Sequence, residues 1–163
     1  MKPSAILSLT LMLTALSLSP SQPGYSRSLP PTPLVETRVT PSSLEAEKAR
    51  ELFRLACKEN RRLEWDECLS RKAFMRAKVM VENGTFAHKD PKTGKNPAWA
   101  MVTQCHRVRY AGENLAKGQE SAEAIHRALM QSPSHRANVV SSKYRFLGVG
   151  CYGPVCVQLF AGF

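Results

Sequence analysis

The chain has 163 residues, of which 43% are hydrophobic, and its 23 Lys and Arg against 13 Asp and Glu give a formal net charge of +10. That length and apolar content point to one domain with a proper core. None of the five cysteines stands in a C-x-x-C pair, which argues against a cysteine-built zinc cluster. The basic residues are scattered without interleaved aromatics, which argues against a nucleic-acid partner. The charge favours anionic partners such as membrane head groups or cell-wall polymers, with solubility as the plainer explanation.

The opening stretch "MKPSAILSLTLMLTALSLSPS" holds an uncharged run from Ala5 to Leu18. About 14 residues is short for a span, which needs about 20. Residues 1–22 therefore read as a secretory signal peptide rather than a membrane anchor. Residues 23–44, rich in proline and serine, read as a linker, and residues 45–163 as the folded domain. Export makes disulfides expected.

Ser42 and Glu45 have the spacing of a capping box, and Ala49, Leu52, Phe53, Ala56 and Cys57 continue as the stripe of a core-facing helix. After a short link, a second helix is predicted from Glu67 to Glu82, with Leu69, Ala73, Ala77 and Met80 inward and Asn83-Gly84 as its stop. Asn83-Gly84-Thr85 also fits a glycosylation acceptor, though the helix stop accounts for it. Residues 89–110 read as polar and irregular. A third helix is predicted from Ser121 to Gln131, ended by Pro133. Phe146 to Cys151 and Val155 to Phe160 read as a hairpin through Tyr152-Gly153-Pro154. Helices followed by a hairpin, with no βαβ rhythm, predict an α+β fold with an antiparallel sheet.

Cys151 and Cys156 face each other across that hairpin and are expected to bridge. Cys57 and Cys68, flanking the link between the first two helices, are the second expected pair, which leaves Cys105 over.

Of the four histidines, His126 and His106 read as surface residues. His88, in "NGTFAH", and His135, in "SPSHRAN", each follow a helix end, on loops held by rigid elements. Between them, in "YAGENLAKG", Glu113 precedes apolar Leu115 and Ala116; a carboxylate so placed is part-buried and needs a partner. Asn114 is expected to hold a bend. His88, Glu113 and His135 are thus candidates for one site, although their separations match no local metal motif.

"LEWDECLSRKAFMRAKVMVENGTFAH", "YAGENLA", "SPSHRANVV", "FLGVGC" and "VQLFAG" follow one another with ordinary gaps. Together they resemble the CAP superfamily (cysteine-rich secretory protein, antigen 5 and pathogenesis-related 1), most of all its short bacterial SCP-like branch. The resemblance implies an α-β-α sandwich around a central antiparallel sheet. Its cleft tetrad of two histidines and two acids implies ligand-binding roles for His88, Glu113 and His135. The fourth member is missing: Leu129 stands where many eukaryotic relatives carry tryptophan, and Ser132 where they carry the acid. Asn138 is expected to cap or brace a turn and Arg136 to lie at the surface.

Three functional readings follow, one of them a purely structural role in the cell envelope. In the first, a secreted domain, extracellular or in the cell envelope, binds a small molecule, a lipid or a divalent metal. His88 and His135 would hold the metal, zinc suiting two imidazoles and a nearby carboxylate. Its partners would include an anionic envelope component, with peripheral membrane contact. The alternative is a metal-dependent hydrolase, a peptidase or esterase, with Glu113 as general base. No nucleophile stands out, the serines of "SPSH" being explained by the helix end.

Overall fold

The computed structural model describes residues 39–163; residues 1–38, read above as a signal peptide and the greater part of a linker, lie outside the described residues. In chain order the elements are α1 (Ser43–Glu59), β1 (Glu64–Trp65), α2 (Glu67–Glu82), α3 (Ala98–Thr103), β2 (Tyr110–Lys117), α4 (Ala122–Gln131), α5 (Pro133–Val139), β3 (Phe146–Tyr152) and β4 (Val155–Gly162). The capping box forms as expected: Ser42 Oγ accepts from the Glu45 amide at 3.3 Å and Glu45 Oε2 from the Ser42 amide at 2.9 Å. Asp66 caps α2 by accepting from the Leu69 amide at 2.8 Å.

The four strands run in the order β1-β3-β4-β2. β4 is antiparallel to both its neighbours, and the two-residue β1 pairs parallel to β3. All eight residues of β4 are buried, because helices cover both faces of the sheet. Val155, Val157, Leu159 and Ala161 cluster with Leu69, Ala73, Ala77 and Met80 of α2 and with Ala98 and Val102 of α3. Cys156 and Phe160 point the other way, with Leu147, Val149 and Cys151 of β3, to meet Leu52 and Ala56 of α1 and Ile125 and Leu129 of α4. The fold is α+β, a helix–sheet–helix sandwich.

Glycine sets how near α2 comes. A Cβ at Gly150 would sit 2.0 Å from the Phe74 backbone nitrogen, and one at Gly148 would sit 2.3 Å from the Leu69 carbonyl carbon. Backbone atoms cannot step aside, so the alternate glycines of "FLGVGC" let α2 rest on the strand itself.

Several expectations need correction. The stretch 89–110 contains α3, whose few apolar residues (Ala98 and Val102 buried) gave too short a pattern to read. Pro133 does end α4, but it also opens α5, where a missing N–H costs nothing, so His135 stands in a helix rather than a loop. Asn114 lies within β2, not at a bend. The second disulfide joins Cys68 to Cys105, with Cα atoms 5.8 Å apart, and Cys57 is the free thiol. The reason is the layering: Cys57 packs with the α1–α4 cluster, whereas Cys105 packs with the α2–α3 cluster across the sheet. Burial pushes the Cys57 thiol up, away from the reactive thiolate. The Cys151–Cys156 bridge forms as read.

Candidate functional site

β2 is an edge strand, and its alternation decides the site. Glu113 pairs with Leu159 and so shares the α2 face; Asn114 pairs with Gln158 and shares the α4–α5 face. Consecutive residues thus reach opposite layers of the sandwich.

On the α2 face the Glu113 side chain is buried, and both its oxygens are engaged. Arg76 Nε donates to Oε1 at 3.1 Å, and His88 Nδ1 lies 2.8 Å from Oε2. A carboxylate can only accept, so Nδ1 carries the hydrogen and Nε2 is left for the open side. Arg76 also donates through its terminal nitrogen to the carbonyls of Ala87, at 2.7 Å, and His88, at 3.2 Å. One guanidinium therefore neutralises the buried carboxylate and ties down the loop that carries His88.

On the other face the links are amides. Asn114 Nδ2 donates to the His135 carbonyl and to Gln158 Oε1, both at 3.0 Å. Asn138 Nδ2 donates to Asn114 Oδ1 at 2.8 Å and to the Glu113 carbonyl at 3.3 Å. Asn138 therefore braces α5 against the outer edge of β2. Gly112 makes room: a Cβ there would lie 2.6 Å from Tyr144 Oη and 3.2 Å from Asn138 Oδ1.

The result is a pair of imidazoles meeting at the edge of the sheet from opposite layers. The His88 and His135 ring centroids are 6.3 Å apart, with 41° between planes. His88 is nearly half exposed. Burial, and then the neighbouring His88, hold His135 below the ordinary histidine range, favouring its neutral form. Neutral imidazoles are ligands.

The donor set bears on zinc directly. Glu113 has no oxygen free, and no group of three or more His, Cys, Asp or Glu suited to holding an ion occurs among the described residues. The residues do not fit a closed four-ligand centre; the two imidazoles are the nitrogen donors on hand, with Glu113 orienting His88 from behind.

Arg76 is the residue that sequence reasoning missed. It lies on the buried side of α2, three positions after Ala73 and four before Met80. A charge inside an apolar stripe, together with a carboxylate lacking a partner, was the available signal. The residues where the fourth tetrad member is missing, and Arg136, lie apart from the imidazole pair. Ser132 stands at the N-cap position of α5 without a capping hydrogen bond from its side chain, its Oγ 3.3 Å from Ser134 Oγ; Leu129 is core; Arg136 is exposed. Two surface readings are corrected. His126 is largely buried, with Nε2 3.4 Å from Glu59, and His106 is three-quarters buried, bonded to Asp66 at 2.7 Å.

The model of the cysteine-rich secretory protein family, CAP, matches residues 52–154. The chain belongs to that family. Among curated relatives, Bacillus subtilis (strain 168) YkwD is 34% identical over 102 residues, 61% of this chain and 39% of YkwD. The B. subtilis membrane protein YlbC is 32% identical over 90 residues, 55% of this chain and 25% of YlbC. The chain thus spans less than half the length of either. Among solved structures, an extracellular SCP-domain protein of Bacillus anthracis str. Ames superposes with a TM-score of 0.67 at 24% identity, over 77% of this chain and 45% of that one. An outer surface protein of Borrelia burgdorferi gives 0.60 at 23%, over 76% of this chain and 96% of its own. These likenesses establish a shared CAP fold.

Proposed function

We propose that this CAP domain works outside the cell or in its envelope as a binding module, taking a small ligand, a lipid head or a divalent cation between His88 and His135. The observation that carries the reading is the imidazole pair, with rings 6.3 Å apart, each anchored by a different residue of β2. The two disulfides, which persist in oxidising compartments, support the placement, as do relatives named extracellular and outer-surface proteins. Among the described residues no helix is long and apolar enough to cross a membrane.

Hydrolysis by metal-bound water would require Glu113 to accept a proton. Its side chain is buried and both oxygens are taken by Arg76 and His88, so the geometry favours holding a ligand over activating water. Where a divalent cation binds, the two imidazoles supply nitrogen ligands and the cation supplies a Lewis-acidic anchor for an anionic group.

Native mass spectrometry of the exported protein, before and after chelation, tests the reading. Retained cargo, or a zinc adduct, that disappears in His88→Ala/His135→Ala is the expected result. Identical spectra for wild type and the folded double variant would overturn it.

A further inference from the structure

One end of the sheet gathers cations and aromatic rings that are dispersed along the chain. The segments 106–110, 143–146 and 161–163 meet where β2 and β3 begin and β4 finishes. Arg109 N donates to the Gly162 carbonyl and Arg145 N to the Ala161 carbonyl, each at 2.9 Å. His106 stacks on Phe146, with centroids 5.1 Å apart and 12° between planes, and Phe163 sets its edge against both rings, at 6.1 and 5.8 Å. Thr103, His106, Arg107, Val108, Arg109 and Phe163 line a hollow of about 460 Å³. Beside it, Lys143 Nζ lies 5.2 Å from the centre of the Tyr110 ring, and the Arg145 guanidinium 5.4 Å from that of Phe146.

The charges there are not balanced. Glu64 is engaged by Arg145 at 3.2 Å, and Asp66 by His106 and by the α2 cap. Arg107, Arg109 and Lys143 are exposed and have no carboxylate partner among the described residues. Tyr110 and Phe163 are also exposed, Phe163 by 56%. A soluble polyanion would satisfy the cations and leave these rings in water. A bilayer interface satisfies both, since phosphates meet the cations and aromatic rings favour the head-group level.

We propose that this end of the sheet is a docking surface for anionic phospholipid head groups, with Arg107, Arg109 and Lys143 facing the phosphates and Tyr110 and Phe163 entering the interface. It rests on the extracellular or envelope placement proposed above and makes no use of the His88–His135 pair. Binding through it holds the domain at a membrane while the imidazoles remain free for their own ligand.

Co-sedimentation with vesicles tests it, comparing phosphatidylglycerol in phosphatidylcholine with phosphatidylcholine alone. The expected result is binding to the anionic vesicles only, weakened but not abolished by salt, because the ring contribution is not screened. Each cation near such a surface contributes about a fivefold gain in partitioning, so Arg107→Glu with Arg109→Glu lowers it by more than about tenfold. Both arginine side chains are exposed, and thermal unfolding verifies that the variant is folded. Phe163→Ser removes the salt-resistant part, and His88→Ala/His135→Ala binds vesicles as wild type does, even should the imidazole pair prove to hold nothing. Equal binding to neutral vesicles, or an unaffected charge-reversed variant, overturns the proposal. So does tighter binding to soluble polyphosphate with no effect of Phe163→Ser, which would mark a polymer-binding face instead.

Discussion

The two imidazoles sit side by side, yet they are held in contrasting ways. His88 is fixed through its own ring by a buried ion pair, Glu113 with Arg76. His135 is fixed through its backbone carbonyl by the neutral amide of Asn114, itself held by Asn138, and its ring has no hydrogen-bond partner among the described residues. The contrast follows from the pleat of one edge strand, which sends successive side chains into different layers. It teaches that one imidazole is held by an ion pair that sets its tautomer, while the other is placed by the helix that carries it.

The largest effect expected from breaking this asymmetry is on the ionic side. Glu113→Ala leaves the Arg76 guanidinium buried without its carboxylate, which costs about 3–5 kcal/mol, read by chemical denaturation. Glu113→Gln, which keeps the shape and an acceptor, costs less. A loss under about 1 kcal/mol for the alanine variant would mean that Arg76 reaches water, contrary to its burial.

Next comes the amide side. Asn138→Ala removes the two part-buried hydrogen bonds that Asn138 donates and the one it accepts from Tyr144, and is expected to cost about 1–3 kcal/mol. Its distinguishing sign is a disturbed His135 resonance in an NMR spectrum whose His88 resonance is little changed. Equal disturbance of both would show that the two walls are not separately built. A double-mutant cycle of Glu113→Gln with Asn138→Ala sharpens the point: a coupling energy within about 0.5 kcal/mol of zero fits independent anchors.

The smallest effect is one of pH. The folded state depresses the His135 pKa, so the unfolded chain binds more protons between the folded value and the ordinary one near 6.5. Stability from this group is present above about pH 6.5 and falls as pH drops through the folded value. Denaturation curves in chelating buffer should therefore show a shallower acid slope for His135→Gln than for wild type. An unchanged slope would assign the acid sensitivity to other groups.

The sequence made one face of each long helix legible, because α1, α2 and α4 carry extended stripes with caps. Short elements were harder: α3 and α5 span six and seven residues, less than two turns with their ends removed, and periodicity has nothing to repeat over. His88, Glu113 and His135 were singled out by their local settings and by resemblance. What brings them together, the edge position of β2 and the arginine from α2, is a matter of tertiary pairing. The disulfide error has the same origin. Cys57 and Cys68 are near in sequence but separated by the sheet, whereas Cys105 comes back to the layer of Cys68. The gathering of "HRVRY", "KYRF" and "AGF" at one end of the sheet was likewise hidden while the basic residues were counted along the chain.

The Cys68–Cys105 bridge closes a covalent ring over a separation of 37 residues, and Arg76, Glu82 and His88 all lie inside it. By the chain-entropy argument such a ring is worth about 4 kcal/mol against the open chain. His135 lies outside. Reduction would lift that restraint from the unfolded chain and so lower the stability of the whole domain that carries both imidazoles, rather than shift the position of one of them.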